Sequence, residues 1–528
     1  MKYFYLLGAL LIFAGSFAQK NWHLKDIKED GVVGISLDKA YKLLKDNHRK
    51  STPVIVAILD SGVDTTHEDL KPFLWVNPDE IPNNGIDDDH NGYVDDIHGW
   101  NFLGNAKGEN IDGETLEKTR LYGKLLSVFK DKDTNHLTIE EKKDWELFKK
   151  VKTDYENDLS EKKREYEMMQ KVYDRTIRVT ASLKSYLKKD SITVKDITEL
   201  KQSPIDSIKN LARMYERISK NNFNAENLLS NIKNIKKDLD TELNPECKVR
   251  ELVGDNPYDM NDSIYGNNDV MGPSCGHGTF VSGIIAADRT NANDAYGIAD
   301  NVKIMVLRIV PGGDERDKDV ANAIKYAVNK GARILNMSFG KTYSPEKYMV
   351  DKALELAAKK EVLCIHAAGN NGENNDIVLH FPTPNTEVGQ IITPYWLDIG
   401  ASSSKPDENL PAFFSNYGQK SVDLFAPGVK IFSVSPHHRF QTSNGTSASC
   451  PVVSGVAALI MSYFPELTTA EVKEILLKSV IKYKHQVIIP TKLEPKGKTS
   501  FKKLSKTGGI VNAEKAVKLA LTYSKKKK

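Results

Sequence analysis

The sequence has little of several features whose abundance would define a protein class. Four cysteines in 528 residues are too few for a disulfide framework, so we expect one bridge at most. Lysine plus arginine (74) and aspartate plus glutamate (71) nearly cancel, which argues against nucleic acid or an anionic membrane as the main partner. The chain is about three times as long as a usual domain. A small stapled scaffold is therefore excluded, and one or two large domains are expected.

The N-terminus carries an apolar run that is too short to span a bilayer. Lys2 precedes the apolar residues 3–13, and Ser16 and Ala18 stand at the −3 and −1 positions of a cleavage site. An uncleaved anchor is the alternative interpretation, which the short run disfavours. We therefore expect residues 1–18 to be a signal peptide and the mature protein to be secreted or periplasmic, with no stable membrane insertion.

Glycine is absent between Gly123 and Gly254, although the chain contains 34 glycines. Within residues 101–250, 58 of 150 residues are charged, against 87 of 378 elsewhere, so this is a different kind of sequence. Thr138 is followed by two glutamates, which is typical of a helix start. Apolar residues recur at helical spacing, as at Leu147, Val151, Tyr155 and Leu159. The segment is predicted to form extended amphipathic helices.

On either side of this segment, short apolar runs are separated by Gly, Asn and Pro turns. They predict buried strands at Val54–Leu59, Lys303–Ile309, Ile334–Phe339 and Val362–Ala367. Helices are predicted between or after them at Val320–Asn329, Tyr348–Lys359, Ser447–Tyr463 and Thr469–Ser479. This alternation predicts an α/β fold with a mostly parallel sheet flanked by helices, whose ligand site lies at the carboxyl ends of the strands.

The predicted organisation is therefore one α/β domain interrupted by a long α-helical insertion. After the signal peptide, the parts are the first part of the α/β domain at 19–103, the charged helical insertion at 104–254, the second part of the α/β domain at 255–520, and a basic tail at 521–528.

Three short motifs stand where such a sheet would place chemistry. Asp60-Ser61-Gly62 ends the first strand, where a carboxylate is held rigidly and partly desolvated. Gly276-His277-Gly278-Thr279 opens an apolar stretch, and its glycines leave the imidazole accessible. Gly445-Thr446-Ser447 precedes an apolar helix, whose dipole favours developing negative charge. Taken singly, a turn-forming aspartate, a structural histidine and an N-cap serine are the ordinary interpretations.

Together the motifs predict nucleophilic catalysis, because a serine hydroxyl needs an adjacent base and that base needs a third group to orient it. The chain order Asp, His, Ser is one of three known orders for this geometry. With these motifs the sequence resembles the subtilisin-like serine peptidases, the subtilases of peptidase family S8. Further matches to that family are His67-Glu68-Asp69-Leu70, Asn336-Met337-Ser338-Phe339-Gly340, Ala367-Ala368-Gly369-Asn370, Phe425-Ala426-Pro427-Gly428 and Gly509-Ile510-Val511-Asn512-Ala513.

The resemblance implies a secreted serine endopeptidase with a subtilisin-like fold that acts on polypeptides and needs no cofactor for catalysis. Ser447 looks like the nucleophile and His277 like the general base and acid. Asp60 looks like the group that orients His277, and Asn370 resembles the family's side-chain oxyanion donor. Chain segments resembling the family's substrate walls are Ser338, Phe339 and Gly340 on one side and Ala367, Ala368 and Gly369 on the other. The first segment can pair with an extended peptide. The second is small enough for a large apolar or aromatic side chain, so we expect broad specificity with an apolar preference.

The loop at residues 83–96 places oxygen side chains at alternating positions, with Gly92 sixth from Asp87, as in the first half of an EF-hand loop. His98 stands at the twelfth position, where a glutamate is usual, so the loop is a variant. The expected ligands are Asp87, Asp89, Asn91, the carbonyl of Tyr93, and Asp95 or Asp96. We expect structural Ca²⁺, and a solvated acidic turn is the alternative.

Some questions stay open at this level. The helical insertion can guard the cleft or assist folding, or it can be a solvated arm that restricts large substrates or binds a partner. Cys275 lies two residues before His277 and can pair with Cys247, whereas Cys364 and Cys450 lie in apolar contexts expected for free buried thiols. A non-catalytic binding module of the same fold and an esterase or amidase are the rival functions.

Overall fold

The computed structural model describes residues 20–220, 224–291, 293–493 and 497–527, so the predicted signal peptide lies outside the described residues. The chain divides into two compact units. The first, which we call the α/β unit, comprises the residues up to Asp112, Glu251–Pro311 and Glu315–Lys528. The second, which we call the helical unit, comprises Gly113–Arg250 and Gly312–Asp314.

The helical unit starts later and ends earlier than the insertion predicted at 104–254, because the flanking residues belong to the α/β unit. The guanidinium of Arg308 donates to the carbonyl of Ile111 (2.7 Å). The amide of Asn105 donates to the carbonyl of Leu252 (3.0 Å). The two stems of the insertion therefore meet within the α/β unit.

The described strands all belong to the α/β unit. In chain order they are β1 Val54–Asp60, β2 Gly99–Asn101, β3 Val302–Arg308, β4 Ile334–Met337, β5 Leu363–Ala367, β6 Trp396–Ser402, β7 Leu424–Pro427, β8 Ile431–Ser435, β9 Arg439–Ser443, β10 Ile481–Lys482, β11 Gln486–Ile488, β12 Lys498–Ser500 and β13 Gly509–Ile510.

Nine of these strands form one sheet in the order β10-β13-β7-β6-β5-β4-β1-β3-β2. Every neighbouring pair is parallel except β10 with β13. The remaining strands form two hairpins, β8 with β9 and β11 with β12. The prediction of a mostly parallel sheet is confirmed.

The helices, in chain order, are α1 Ile27–Asp30, α2 Leu37–Asp46, α3 Glu117–Phe129, α4 Ile139–Leu187, α5 Val194–Leu200, α6 Asp206–Lys220, α7 Ala225–Asp240, α8 Gly276–Ala286, α9 Asp317–Asn329, α10 Lys347–Lys359, α11 Thr446–Tyr463, α12 Thr469–Lys478 and α13 Ala513–Lys525. Helices α3 to α7 lie in the helical unit, and the other eight lie in the α/β unit.

Both faces of the sheet are buried, which explains why its strands are continuous apolar runs. In β1, the side chains of Val56 and Ile58 join a core cluster that includes residues of α8 and α11. Those of Ala57 and Leu59 point to the opposite face and join a cluster with residues of α9 and α10. Helix α11 is long and apolar enough to cross a membrane, but 89% of it is buried inside the protein, as befits a core helix.

The strand predicted at Ile334–Phe339 leaves the sheet earlier than expected, since β4 ends at Met337. The next segment, Ser338–Gly340, belongs to no named strand, and Lys341 then pairs with Phe381. The other predicted strands and helices of the α/β unit match the structure to within three residues at each end.

The helical unit is organised around α4, which has 49 residues and is therefore about 74 Å long. Its N-cap is Thr138, whose side chain accepts from the backbone of Glu141 while the Glu141 carboxylate accepts from the N-cap backbone. The helix start predicted at this threonine is thus a capping box. Along the predicted stripe, Val151 and Tyr155 are buried, and Leu147 and Leu159 are half-buried.

The segment at 521–528 is not a separate basic tail, and that prediction is wrong. Helix α13 continues to Lys525, and Leu521 and Tyr523 pack against the core. The ammonium of Lys527 donates to the carbonyl of Glu466 (2.8 Å) and to the carboxylate of Glu471 (2.6 Å). Lys527 therefore joins the end of α13 to the start of α12.

All four cysteines are free thiols, so the bridge considered between Cys247 and Cys275 is not formed. Cys364 and Cys450 are buried, as expected. Burial raises the pKa of each of these two thiols to about 12, which keeps them protonated and unreactive at neutral pH.

Candidate active site

Asp60 is the last residue of β1, and only 1% of its surface is exposed. Its Oδ1 accepts from the backbone N–H of Ser61 and lies 2.7 Å from Nδ1 of His277. The chain turns sharply at Gly62, whose φ is +108°, and a Cβ there would lie 2.4 Å from the carbonyl oxygen of Met271. The glycine of this motif is required by that close approach.

His277 lies in the first turn of α8, where its ring faces Asp60. Because an ionised carboxylate only accepts hydrogen bonds, Nδ1 is the donor, and Nε2 of the neutral ring is left as an acceptor. The side chain is 44% exposed. Desolvation lowers the pKa of His277, but the charge and hydrogen bond of Asp60 outweigh it, so the pKa is raised above its ordinary value. The pair has the properties of an oriented general base.

Ser447 lies in the first turn of α11, directly after Gly445 and Thr446. Its carbonyl oxygen accepts from the hydroxyl of Ser338 (3.1 Å). A Cβ on Gly445 would lie 2.8 Å from the Ser447 hydroxyl oxygen and 3.7 Å from Nδ2 of Asn370. The serine hydroxyl and the asparagine amide therefore both lie close to Gly445.

Asn370 is fixed through its carbonyl oxygen. Oδ1 accepts from the backbone N–H of Thr446 (2.8 Å) and from the Thr446 hydroxyl (3.0 Å). This orients Nδ2 as the remaining donor of the side chain. In the first turn of a helix the backbone N–H groups lack helical partners, so the N–H of Ser447 is a second donor close to this amide.

The topology places these groups at one edge of the sheet. Asp60, Ser338 and Asn370 stand at or just beyond the carboxyl ends of β1, β4 and β5, which are consecutive neighbours in the sheet. Helices α8 and α11 both begin at this edge, bringing His277 to Asp60 and Ser447 to Ser338. All four predicted catalytic residues thus converge where an open parallel sheet forms its ligand site.

The predicted substrate segments follow β4 and β5, but not every side chain in them faces a pocket. The ring of Phe339 packs in the core cluster of α9 and α10. Ala368 is fully buried in another core cluster, with Val33 and Phe425. At these two positions only the backbone is available to a substrate, whereas Gly340 and Gly369 have no side chain to intrude.

The acidic loop differs in part from the predicted calcium site. Oxygens of Asp87 and Asp89 lie within 4.8 Å of each other and of an oxygen of Glu80, a residue that the loop pattern missed. Asp95 and Asp96 lie outside this group. Asp95 accepts from the backbone N–H groups of residues 84 and 85.

Two further predicted ligands are also engaged within the loop. Asp96 accepts from the hydroxyl of Tyr326 and the amide of Asn91, and Asn91 Oδ1 accepts from the backbone N–H of Tyr93 (2.6 Å). Asp87 and Asp89 accept from backbone N–H groups of the loop in the same way. These hydrogen bonds therefore do not decide between the two ligand sets, and Asp95 and Asp96 stay predicted ligands.

Three carboxylates with one unpaired buried oxygen fit a hard cation. Oε1 of Glu80 accepts from the backbone of residues 88 and 89. Oε2 is buried and has no partner among the described residues. Burial and the negative charges of Asp96 and Asp89 raise the pKa of Glu80, a cost that a bound cation would offset.

Comparison with known proteins identifies the class that this fold and site define. The chain matches the subtilase family, peptidase S8, over residues 51–508. It belongs to that family.

Individual relatives share shorter stretches. The chain is 30% identical over 235 residues to the cell wall-associated protease of Bacillus subtilis, covering 44% of this chain and 24% of that protein. It is 33% identical over 227 residues to the major intracellular serine protease of the same species, covering 42% and 65%. The chain thus spans less than two thirds of either relative. Among solved structures, the protease domain of PatA is similar at 27% identity and a TM-score of 0.37, covering 48% of this chain and 82% of that domain.

Proposed function

We propose that the protein is a serine endopeptidase that cleaves peptide bonds through an acyl-enzyme at Ser447. The observation that supports this most is the 2.7 Å contact between Asp60 and His277 at the sheet edge where α11 presents Ser447. A buried aspartate that fixes the histidine tautomer, next to a helix-start serine, is the arrangement of serine peptidases.

The chemistry follows from the geometry. Nε2 of His277 accepts the hydroxyl proton as Oγ of Ser447 attacks the substrate carbonyl carbon, and it later gives that proton to the leaving amine. Asp60 orients the ring and stabilises the imidazolium that forms. The negative oxygen of the tetrahedral intermediate receives hydrogen bonds from the Ser447 N–H and from Nδ2 of Asn370. Water then attacks the ester carbonyl and releases Ser447.

Labelling by a serine-directed fluorophosphonate tests this mechanism, followed by digestion of casein. Both activities are expected in the wild type and absent in Ser447→Ala. Ser462→Ala, which alters a serine at the far end of the same helix, serves as the matched control. A folded protein that neither labels nor digests is the outcome for a binding module. Turnover of simple esters without turnover of peptides is the outcome for an esterase.

The substrate segments support broad specificity with a preference for large apolar or aromatic side chains. Ser338, Phe339 and Gly340 provide backbone for pairing with an extended peptide. The small residues Ala367 and Gly369 leave room for the side chain on the acyl side of the cleaved bond, called P1.

We also propose that Ca²⁺ binds at Glu80, Asp87 and Asp89 and stabilises the loop between β1 and β2. Support comes from the buried Oε2 of Glu80, which lacks a partner among the described residues. Isothermal titration of the chelator-treated protein with Ca²⁺, with Glu80→Gln as the variant, tests the site. Equal heat for both proteins would contradict it.

We propose that the protein is exported and that residues 1–18 are removed. The apolar run before Ser16 and Ala18 supports this. Mass spectrometry of the protein recovered outside the cytoplasm is expected to show Gln19 at its N-terminus, whereas a product retaining Met1 in the cytoplasm would refute export.

For the helical unit, we propose a role in folding or in guarding the cleft. Its stems meet at Asn105 and Leu252, so residues 113–250 can be replaced by a short Gly-Ser linker. Altered refolding yield or altered kinetics towards large substrates is expected in that variant. Unchanged folding and kinetics would refute both roles and leave a partner-binding arm as the remaining interpretation.

A further inference from the structure

A cavity of about 380 Å³ in the α/β unit adjoins the segments proposed to hold the substrate. A Cβ added to Gly340 would lie 3.1 Å from the carbonyl oxygen of Phe381, and one added to Gly369 would lie 3.5 Å from the ring of His380, and both of these residues line the cavity. Its lining includes His366, Leu379, Phe381, Pro382, Thr383 and Asp398. A cavity of this size lies at the lower end of the range for ligand pockets, and is large enough for one aromatic side chain. Most of the lining residues are polar or charged, and Leu379, Phe381 and Pro382 form an apolar part of the wall. His366 is the least exposed titratable group of the lining, at 1%.

His366 is held by a chain of hydrogen bonds that the catalytic machinery does not use. Its Nδ1 lies 2.6 Å from Oδ1 of Asp398, and Oδ2 of Asp398 accepts from the indole N–H of Trp396 (2.8 Å). The carboxylate is an acceptor, so Nδ1 of the imidazole carries the proton. Nε2 of the neutral ring therefore presents a lone pair.

That lone pair has no protein partner. Nε2 of His366 is buried and makes no hydrogen bond within the described part of the chain. A buried acceptor without a partner is destabilising. Such a group in a cavity is commonly explained by a ligand or water that completes it.

The position of Nε2 connects the cavity with the proposed substrate cleft. His366 directly precedes Ala367 on β5. A Cβ added to Gly340, on the other substrate segment, would lie 3.4 Å from Nε2. The cavity-lining residue Phe381 is joined to the end of the first segment by two backbone hydrogen bonds with Lys341 (3.0 and 2.8 Å). Nε2 therefore lies beside Gly340, where the first segment meets the cavity.

We propose that His366 is a specificity-determining residue of the first specificity pocket and accepts a hydrogen bond from the phenol of a P1 tyrosine. This inference rests on the proposed function. Leu379, Phe381 and Pro382 provide apolar contacts for an aromatic ring, and the phenol O–H supplies the donor that Nε2 lacks. Phenylalanine would fill the same space and leave the acceptor unpaired. Three lysines in the lining, Lys347, Lys420 and Lys506, disfavour a cationic P1 side chain.

The test compares peptides that differ only at P1, using the full-length wild-type protein. Tyrosine is expected to exceed phenylalanine by about 10- to 100-fold in kcat/KM. O-methyltyrosine, which retains the ring but lacks the donor, is expected to fall to the phenylalanine value or below. Equal rates for tyrosine and phenylalanine, or a preference for lysine or glutamate, would overturn the inference while leaving the endopeptidase function in place.

Variants assign the effect to one imidazole. His366→Gln is expected to lower the ratio of tyrosine to phenylalanine towards one. His380→Gln is the matched control, since its ring also lines the cavity but Nε2 is paired with Glu373 (3.2 Å); its ratio is expected to stay high. If His380→Gln lost the preference for tyrosine over phenylalanine and His366→Gln kept it, the preference would depend on His380, and the proposal would be overturned. If no peptide is cleaved and Ser447 does not label, the proposed function fails, and this inference fails with it.

Discussion

The two units bury their residues to very different extents. In α11 of the α/β unit, 16 of 18 residues are buried, whereas in α4 of the helical unit only six of 49 are buried. A helix buried on all sides has one allowed position, so Ser447 at its start is fixed to within the tolerance that catalysis needs. Helix α4 is packed only along a narrow stripe of buried residues, so its position is less strictly fixed.

The stabilising interactions differ accordingly. Besides two small apolar clusters, the helical unit has helix caps and ion pairs at partly exposed sites, such as Lys162 with Asp238 and Lys201 with Glu216. Pairs of this kind contribute little individually and are screened by salt. In the α/β unit, carboxylates next to histidines are oriented by several hydrogen bonds, as at Asp60 and Asp398. Chemistry is therefore expected in the α/β unit.

The largest expected effect in this comparison comes from the buried aspartate. Asp60→Asn should lower kcat about 10⁴-fold, because the amide favours the wrong histidine tautomer. Asp60 raises the pKa of His277, and the protonated ring cannot act as a base. Removing the charge should therefore move the acidic limb of kcat/KM to lower pH. Stopped-flow assays across pH 5 to 9 would measure this, with the exposed Asp46→Asn as control. An unshifted limb would contradict the assigned pairing.

Asn370 should have the next largest effect. Asn370→Asp keeps the oxygen that accepts from Thr446 but replaces the Nδ2 donor, so we expect a loss of about 10² to 10³ in kcat with KM little changed, the size seen for this donor in subtilisin. Asn370→Leu should lose both interactions and also lower the melting temperature. Steady-state kinetics and thermal melts of both variants would separate catalysis from positioning. A loss confined to KM would argue against an oxyanion role.

Removing the cation should lower the stability of the α/β unit without removing any catalytic group. Calcium at 100 times its Kd would stabilise the folded state by about 2.7 kcal/mol, so chelator should lower the melting temperature by several degrees and increase self-digestion. Glu80→Gln should melt like the chelated protein and respond little to further chelator. Calorimetry on the Ser447→Ala background avoids self-digestion during the scan. Identical melts with and without chelator would rule out a stabilising cation.

The smallest effect is expected in the helical unit, at Glu242. Burial and the charge of Asp238 raise its pKa to about 7, above the value of about 4.3 for an unfolded chain. A raised folded-state pKa favours the protonated carboxyl, so this contribution to stability is present below pH 4 and is lost as the pH rises through 7. Helical unfolding followed by circular dichroism should therefore begin at lower temperature at pH 8 than at pH 5. Glu242→Gln should flatten that dependence, and an unchanged slope would exclude Glu242 as its source.

Much of the α/β unit could be predicted from the sequence because its signals are local. Strands buried on both faces are continuous apolar runs. Asp60 ends one such strand and Asn370 follows another, so the parallel sheet fixes where both residues lie. The capping box at Thr138 is likewise contained in four consecutive residues.

What the sequence did not reveal depends on partners that are distant in the chain. His366 becomes notable only when β6 brings Asp398 beside it, and its residue type alone suggests an ordinary core histidine. Glu80 lies before the acidic loop and comes near Asp87 only after the loop folds back.

Asp95 and Asp96 fit a linear ligand pattern, but in the folded chain their oxygens also accept hydrogen bonds from backbone N–H groups and from Tyr326. The helix at 521–525 was missed because its lysines obscured the apolar face of Leu521 and Tyr523.

The pairing of β1 with β3 has a consequence for biosynthesis. Val54 pairs with Val302, and Val56 pairs with Ile334 on the other side. At 5–20 residues per second, synthesis of a neighbour for the first strand takes about 12–50 s, and residues 113–250 of the helical unit are synthesised during that interval. A chain built in this order must keep an unpaired apolar strand from aggregating while the sheet is unfinished, so its yield should depend on holdase chaperones more than on the stability of the finished fold.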